Sequence, residues 1–118
     1  ICSFGYPKGL PRDADLVFDM RYLKNPHYVD KLKQKTWQNS DVGDYIMKDP
    51  VFDRSWDKVS SLILTLLPEY KKEGKSYLTI AFGCTGGRHR SVFIAEKMTK
   101  LLKEKKYKVN LHHRELSI

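Results

Sequence analysis

The sequence predicts a small α/β domain whose largely parallel sheet is flanked by helices. Short stretches of strand character, ICSFG at 1–5, LVFDMRYL at 16–23 and SYLTIAFGC at 76–84, are interleaved with segments of helical periodicity. The third of these strands runs into a glycine-rich turn, GCTGGRHRS at 83–91, after which helical periodicity resumes at once. Strand, turn and helix in that order are the signature of a parallel sheet with helical crossovers. Across 118 residues there is no internal repeat, low-complexity tract or break in composition, so residues 1–118 read as one domain. A chain of that size can bury one core without disulfide or metal staples.

The elements follow in order. After the first strand, Pro7, Gly9 and Pro11 forbid regular structure. LVFDMRYL carries the β-branched and aromatic bulk of a second strand. The residues Lys24 to His27 then form a turn. Residues 28–39 are polar, with Leu32 and Trp37 as expected anchors and irregular or one-turn helical structure between them. Asp41 is placed to cap a short helix through Tyr45, Ile46 and Met47. A longer helix is expected from Asp49 or Pro50, with Phe52, Trp56, Val59, Ile63, Leu66 and Tyr70 on one face. Pro68 should kink or end it, and Gly74 should stop any continuation. Residues 76–84 form a buried central strand, and 91–105 form a helix with Ile94, Ala95, Met98, Leu101 and Leu102 inward. YKVNLHHREL supplies the last strand.

Charge and cysteine content narrow the class. Lys and Arg number 22 against 14 Asp and Glu, a net charge of +8 that favours polyanions and phosphorylated small molecules, although a basic balance can also serve solubility alone. Two cysteines, Cys2 and Cys84, make no disulfide framework, which points to a reducing, cytoplasmic setting. No stretch approaches the ~20 apolar residues of a membrane helix, and none resembles a signal peptide. No Cys or His spacing resembles a zinc site; His112 and His113 are adjacent and would point to opposite faces of a strand. A start at Ile1 directly in apolar sequence suggests a domain taken from a longer protein.

The chemistry concentrates at residues 83–91. In a parallel sheet, ligands gather outside the carboxyl ends of the strands, where this loop belongs. Gly83, Gly86 and Gly87 allow close backbone approach, and the amides opening the next helix favour an anion. Thr85 and Ser91 can donate hydroxyls, and Arg90 can offer a fork to phosphate oxygens. A tight turn with solvated basic residues is the plainer alternative. The spacing is not that of a Walker A loop, because Arg88 stands where its second glycine belongs. Cys84, five residues, then Arg90 and Ser91 does match the phosphate loop of cysteine-dependent phosphatases. That chemistry needs a Cys84 thiolate, which a helix N-terminus and Arg90 would favour, and an acid, for which Asp49 is the nearest candidate. Asp49 also reads as a helix cap, and Cys84 as a small residue at a buried strand end.

The blocks SFGY, DADLVFDMRYLKNPH, SYLTIA and GCTGGRHRSV, in this order and spacing within a stretch from Ser3 to Leu116, resemble the C-terminal domain of the RapZ family of bacterial RNase adapter proteins. The resemblance implies a fold similar to a phosphofructokinase subdomain and a preceding P-loop domain that would account for any ATP or GTP binding, with no cofactor in this domain. It implies a non-catalytic domain that senses glucosamine-6-phosphate and binds small regulatory RNA, with a ribonuclease or regulatory protein as further partner and a homo-oligomeric parent. The family's pocket maps onto His27, Cys84, Thr85, Gly86, His89 and Arg90. Gly87 and Ser91 belong to the same loop, and Asp19, Arg21 and Asn25 are neighbours, with Asp19 able to meet an ammonium group. Enterobacterial members end in a Lys- and Arg-rich tail, whereas this sequence ends at RELSI, so strong RNA binding is less expected of it.

Lys97, Lys100, Lys103, Lys105, Lys106 and Lys108, followed by Arg114, could form a basic stripe for RNA phosphates, or an ordinary solvated face. Tyr6, Tyr22 and Tyr28 could stack on unpaired bases or lie in the core. His113 and Arg114 repeat the His89–Arg90 pair and are expected near the same sheet edge.

Overall fold

The computed structural model describes residues 1–35 and 39–116; Trp37 lies outside them. The elements are β1 (Cys2–Gly5), β2 (Leu16–Asp19), α1 (Ser40–Met47), α2 (Phe52–Lys72), β3 (Ile80–Cys84), α3 (Arg90–Glu104) and β4 (His112–His113), with one-turn 3-10 helices at Tyr6–Lys8 and Pro26–Tyr28. The four strands form one all-parallel sheet in the order β2-β3-β1-β4. The α/β class read from the sequence is the fold observed. All five residues of β3 are buried, as expected of a parallel strand covered on both faces.

Side-chain alternation on β3 sorts the two faces. Ile80 and Phe82 join Met98, Ala95 and Leu102 of α3 and Val42, Ile46, Phe52 and Ile63 of the other helices in one apolar cluster. Phe18 of β2 stacks on Phe82 with ring centroids 5.6 Å apart. On the opposite face Phe4 fills the room left by Gly83, where a Cβ would lie 2.4 Å from its ring. Each such fully buried side chain contributes about 1.5–3 kcal/mol.

Several boundaries differ from the sequence reading. The second strand stops at Asp19 rather than Leu23, because the Asp19 carboxylate accepts the Arg21 N–H at 2.9 Å and turns the chain. Asn39, not Asp41, caps α1, its side chain accepting the Asp41 N–H. The long helix begins at Phe52, since both oxygens of Asp49 are engaged before it, one by the Val51 N–H and the other by the Lys24 N–H. It passes through Pro68, which is exposed, and carries Ile63, Leu64 and Leu67 to the core; Leu66 and Tyr70 lie outside the apolar cluster. Gly74 at φ 90 ends it, with the Lys75 N–H returning to the Tyr70 carbonyl. β3 starts at Ile80, opposite Leu16, rather than at Ser76. The last strand is only His112–His113, because it pairs with Cys2 and Ser3 alone.

Beyond β4 the chain is pinned by Glu115. Its carboxylate accepts the Gly5 N–H at 2.8 Å and lies 2.7 Å from Arg114 Nη2, with the side chain 7% exposed. Burial pushes this carboxyl up, but Gly5, Arg114 and Lys8 outweigh it and leave it below the usual glutamate range. A carboxyl depressed in the folded state adds stability above its unfolded value of about 4.3, and that stability is lost as pH falls through the folded value. Glu115→Gln should therefore cost about 2–3 kcal/mol at neutral pH. In urea unfolding the variant should also lose less stability than wild type on acidification; parallel curves would contradict this.

Candidate ligand-binding site

The in-register pairs Gly5↔Cys84 and Asp19↔Gly83 bring the carboxyl ends of β1, β2 and β3 to one edge of the sheet. The 85–89 loop lies across that edge and opens α3. Gly87 fixes its path: its φ is 71, and a Cβ there would sit 2.6 Å from the Gly5 nitrogen. Only a residue without a side chain permits that approach. Gly86, by contrast, has nothing within 4 Å of a Cβ position and faces open space.

Next to this loop is a cavity of about 460 Å³, a size suited to a small molecule. Asn25, His27 and Tyr28 border it from one turn, Lys33 and Gln34 from the segment after it, and Cys84, Thr85, Gly86, Arg88, His89 and Arg90 from the loop. Among the described residues, five basic side chains and no carboxylate line it. Arg90 is 4% exposed. Its Nη1 donates to the carbonyls of Arg21 at 2.6 Å and Leu23 at 3.0 Å, and its Nη2 to Thr85 Oγ1 at 3.2 Å. Its hydrogen-bond partners are neutral; the Asp19 carboxylate, clasped by Arg21, interacts with it electrostatically but is not among those partners. Several kcal/mol oppose burying such an ion, and an incoming anion would recover part of that penalty.

His89 is likewise buried, at 6% exposure. Its Nε2 lies 2.6 Å from the Lys35 carbonyl, which can only accept, so that nitrogen carries the proton. Burial holds its pKa below the ordinary histidine value, and Arg88, His27 and Arg90 add to the effect against the opposing bond to Lys35.

The predicted residues divide in two. His27, Asn25, Cys84, Thr85, Gly86, His89 and Arg90 share the cavity. Gly87 and Ser91 do not line it, because their amides turn to Cys84 Sγ at 3.3 and 3.4 Å while the thiol donates to Ser91 Oγ at 3.1 Å. Asp19 and Arg21 also stand outside it. They clasp each other, Nη2 to Oδ2 at 2.7 Å, and Arg21 lies over the Tyr6 ring at 3.9 Å, so Asp19 is engaged rather than open to an ammonium. Paired with Arg21, its carboxyl stays below the usual aspartate range. Asp49, considered as an acid, has both oxygens on backbone amides. Tyr28, Lys33, Gln34 and Arg88 were not assigned to the cavity from sequence; only Arg88, inside the glycine loop, gave a local signal.

The sequence profile of the RapZ C-terminal domain matches residues 1–117. The chain belongs to the RapZ C-terminal domain family. A nucleotide-binding protein of Novosphingobium aromaticivorans is 54% identical over 117 residues, covering 99% of this chain and 38% of that protein. Nucleotide-binding proteins of Sphingopyxis alaskensis and Endomicrobium trichonymphae are 54% and 55% identical over 116 residues each, covering 98% of this chain and 37% and 40% of theirs. The chain thus spans about two-fifths of the length of these relatives.

On this RapZ C-terminal domain the basic stripe is shorter than expected. Lys100, Lys103, Lys105, Lys106 and Lys108 are exposed. Lys97 instead packs its ammonium over the Trp56 ring at 5.0 Å, and Arg114 donates to the carbonyls of Gly5 and Gly9. His113 bridges Ser3 Oγ at 2.7 Å and Glu96 at 2.8 Å, so the second His–Arg pair is committed to joining β1, α3 and β4 rather than to the cavity. Tyr22 and Tyr28 are exposed. Among the described residues no group of three or more His, Cys, Asp or Glu is placed to hold a metal ion, and no helix is long and apolar enough to cross a membrane.

The two loop glycines make a paired test. Gly87→Ala should lose about 2–4 kcal/mol through its positive φ and the Gly5 backbone. Gly86→Ala should stay within about 1 kcal/mol of wild type. Chemical denaturation measures both, and similar losses in the two would contradict the assigned loop geometry.

Proposed function

We propose that this domain binds a phosphorylated amino sugar of the glucosamine-6-phosphate type in the 460 Å³ cavity and acts as a non-catalytic sensor. The observation that carries the reading is Arg90, buried on the cavity wall with no acid in contact and accompanied by Arg88, Lys33 and His27. A phosphate dianion suits that set, through charge-assisted bonds of about 1.5–3 kcal/mol each. With Asp19 engaged by Arg21 and the Asn25 side-chain oxygen accepting the His27 N–H, the ligand's amino group would address the side-chain oxygen of Gln34.

In a protein of the relatives' length, which we take to be cytoplasmic, nucleotide binding would belong to the remaining length and oligomer formation to the whole. RNA, or a protein partner, would meet the exposed lysines of α3 and its following turn. Such RNA binding rests on phosphate neutralisation and should weaken steeply with salt. A cysteine phosphatase is the competing reading, favoured by the two amides turned on Cys84 Sγ. It is disfavoured by the engaged Asp49 and by a Cys84 only 2% exposed.

Calorimetry with glucosamine-6-phosphate, inorganic phosphate and glucosamine tests this function. Glucosamine-6-phosphate should bind most tightly, phosphate measurably, and glucosamine at least about tenfold more weakly than the phosphosugar. No heat with either phosphorylated ligand would refute the reading. Turnover of a general phosphatase substrate that disappears in Cys84→Ser would establish the enzyme instead.

A further inference from the structure

We infer that His89 is a positioning residue that holds Lys33 against the ligand, and that Lys33 is an anion-binding residue of the cavity. The inference rests on the reading of that cavity as an anion site. Residues 29–35 form a strap whose backbone bonds are local: the Leu32 and Lys33 N–H groups return to the Val29 carbonyl, and the Lys35 N–H returns to the Leu32 carbonyl. Among the described residues, Val29 packs against the apolar cluster and Lys35 Nζ lies 3.7 Å from Asp41 Oδ2, and two further contacts flank the stretch that faces the cavity. Leu32 is 7% exposed within the apolar cluster. The Lys35 carbonyl accepts His89 Nε2–H at 2.6 Å across a separation of 54 residues.

Between those two anchors lie Lys33 and Gln34, which border the cavity that Arg88 and Arg90 also line. Lys31 and Lys35, on either side, border a separate groove with Asp41, Asp44 and Lys48. The strap is therefore a wall between two depressions, and its register decides which lysine faces the anion. His89 suits the task because burial disfavours its charged form, so its Nε2–H can be given to a carbonyl without importing another charge. The bond sets where Lys33 stands, and Lys33 adds a cation from an element remote in sequence from the glycine loop.

The test uses the whole chain. Lys33→Ala should weaken glucosamine-6-phosphate or phosphate binding about tenfold, the loss of one charge-assisted contact, whereas Lys31→Ala should change it less than about twofold. In a His89→Ala background, Lys33→Ala should add less than about twofold, and His89→Gln, which keeps an N–H donor, should restore most of the Lys33 effect. Without ligand, trypsin should cut after Lys31 and Lys33 about tenfold faster in His89→Ala than in wild type or His89→Gln. Unchanged cleavage would overturn the latch. Equal effects of Lys31 and Lys33 would overturn the binding role, and this comparison stands even if His89→Ala fails to fold. Wild type that binds neither probe would refute the proposed function and the role of Lys33 with it, leaving the latch to be decided by cleavage alone.

Discussion

The guanidinium of Arg90 organises one edge of this domain. Standing at the first residue of α3 and almost without solvent, it donates to the carbonyls of Arg21 and Leu23 and to the Thr85 hydroxyl. Those bonds tie the turn after β2, the glycine loop after β3 and the start of α3 into one unit. They engage three of its five N–H groups without placing an acid in hydrogen-bond contact with it. The field it leaves, reinforced by Arg88 and Lys33, faces a cavity that no carboxylate lines among the described residues. Binding an anion and holding the loop in shape are two consequences of the same buried cation.

The sulfur of Cys84 is the counterpart of that arrangement. A loop with the spacing of a nucleophile cradle turns its Gly87 and Ser91 amides onto Sγ, and the thiol donates to Ser91. Those amides are thereby withdrawn from any ligand. Anion recognition passes to side chains: Arg88, Arg90, His27 and the strap lysine. The same Cys-five-Arg spacing can thus serve the inner wall of a binding site, with its sulfur packed rather than presented.

Much of this was legible in the sequence, and the failures have physical reasons. The all-buried β3 and the glycine loop were readable because an apolar run meeting Gly83, Gly86 and Gly87 leaves few other structures. The inner face of α3 was readable from its periodicity. Strand limits were not, since strand-like sequence in Ser76 to Thr79 and on either side of His112–His113 extends beyond the residues that pair with a neighbouring strand. The Asp19–Arg21 clasp is local and could have been anticipated from an aspartate two residues before an arginine, which would have removed Asp19 from the ligand. Lys33 and Gln34 gave no signal, because they lie in an aperiodic polar segment held by a contact 54 residues away.

Arg90, buried and hydrogen-bonded to neutral groups, gives this fold its affinity for an anion. Thermal unfolding in inorganic phosphate against chloride at matched ionic strength tests it most directly. A ligand bound only by the folded state stabilises in proportion to the logarithm of its concentration once above Kd. Tm should climb with phosphate in wild type, and the climb should be lost in Arg90→Met. Identical melting in phosphate and chloride would contradict it.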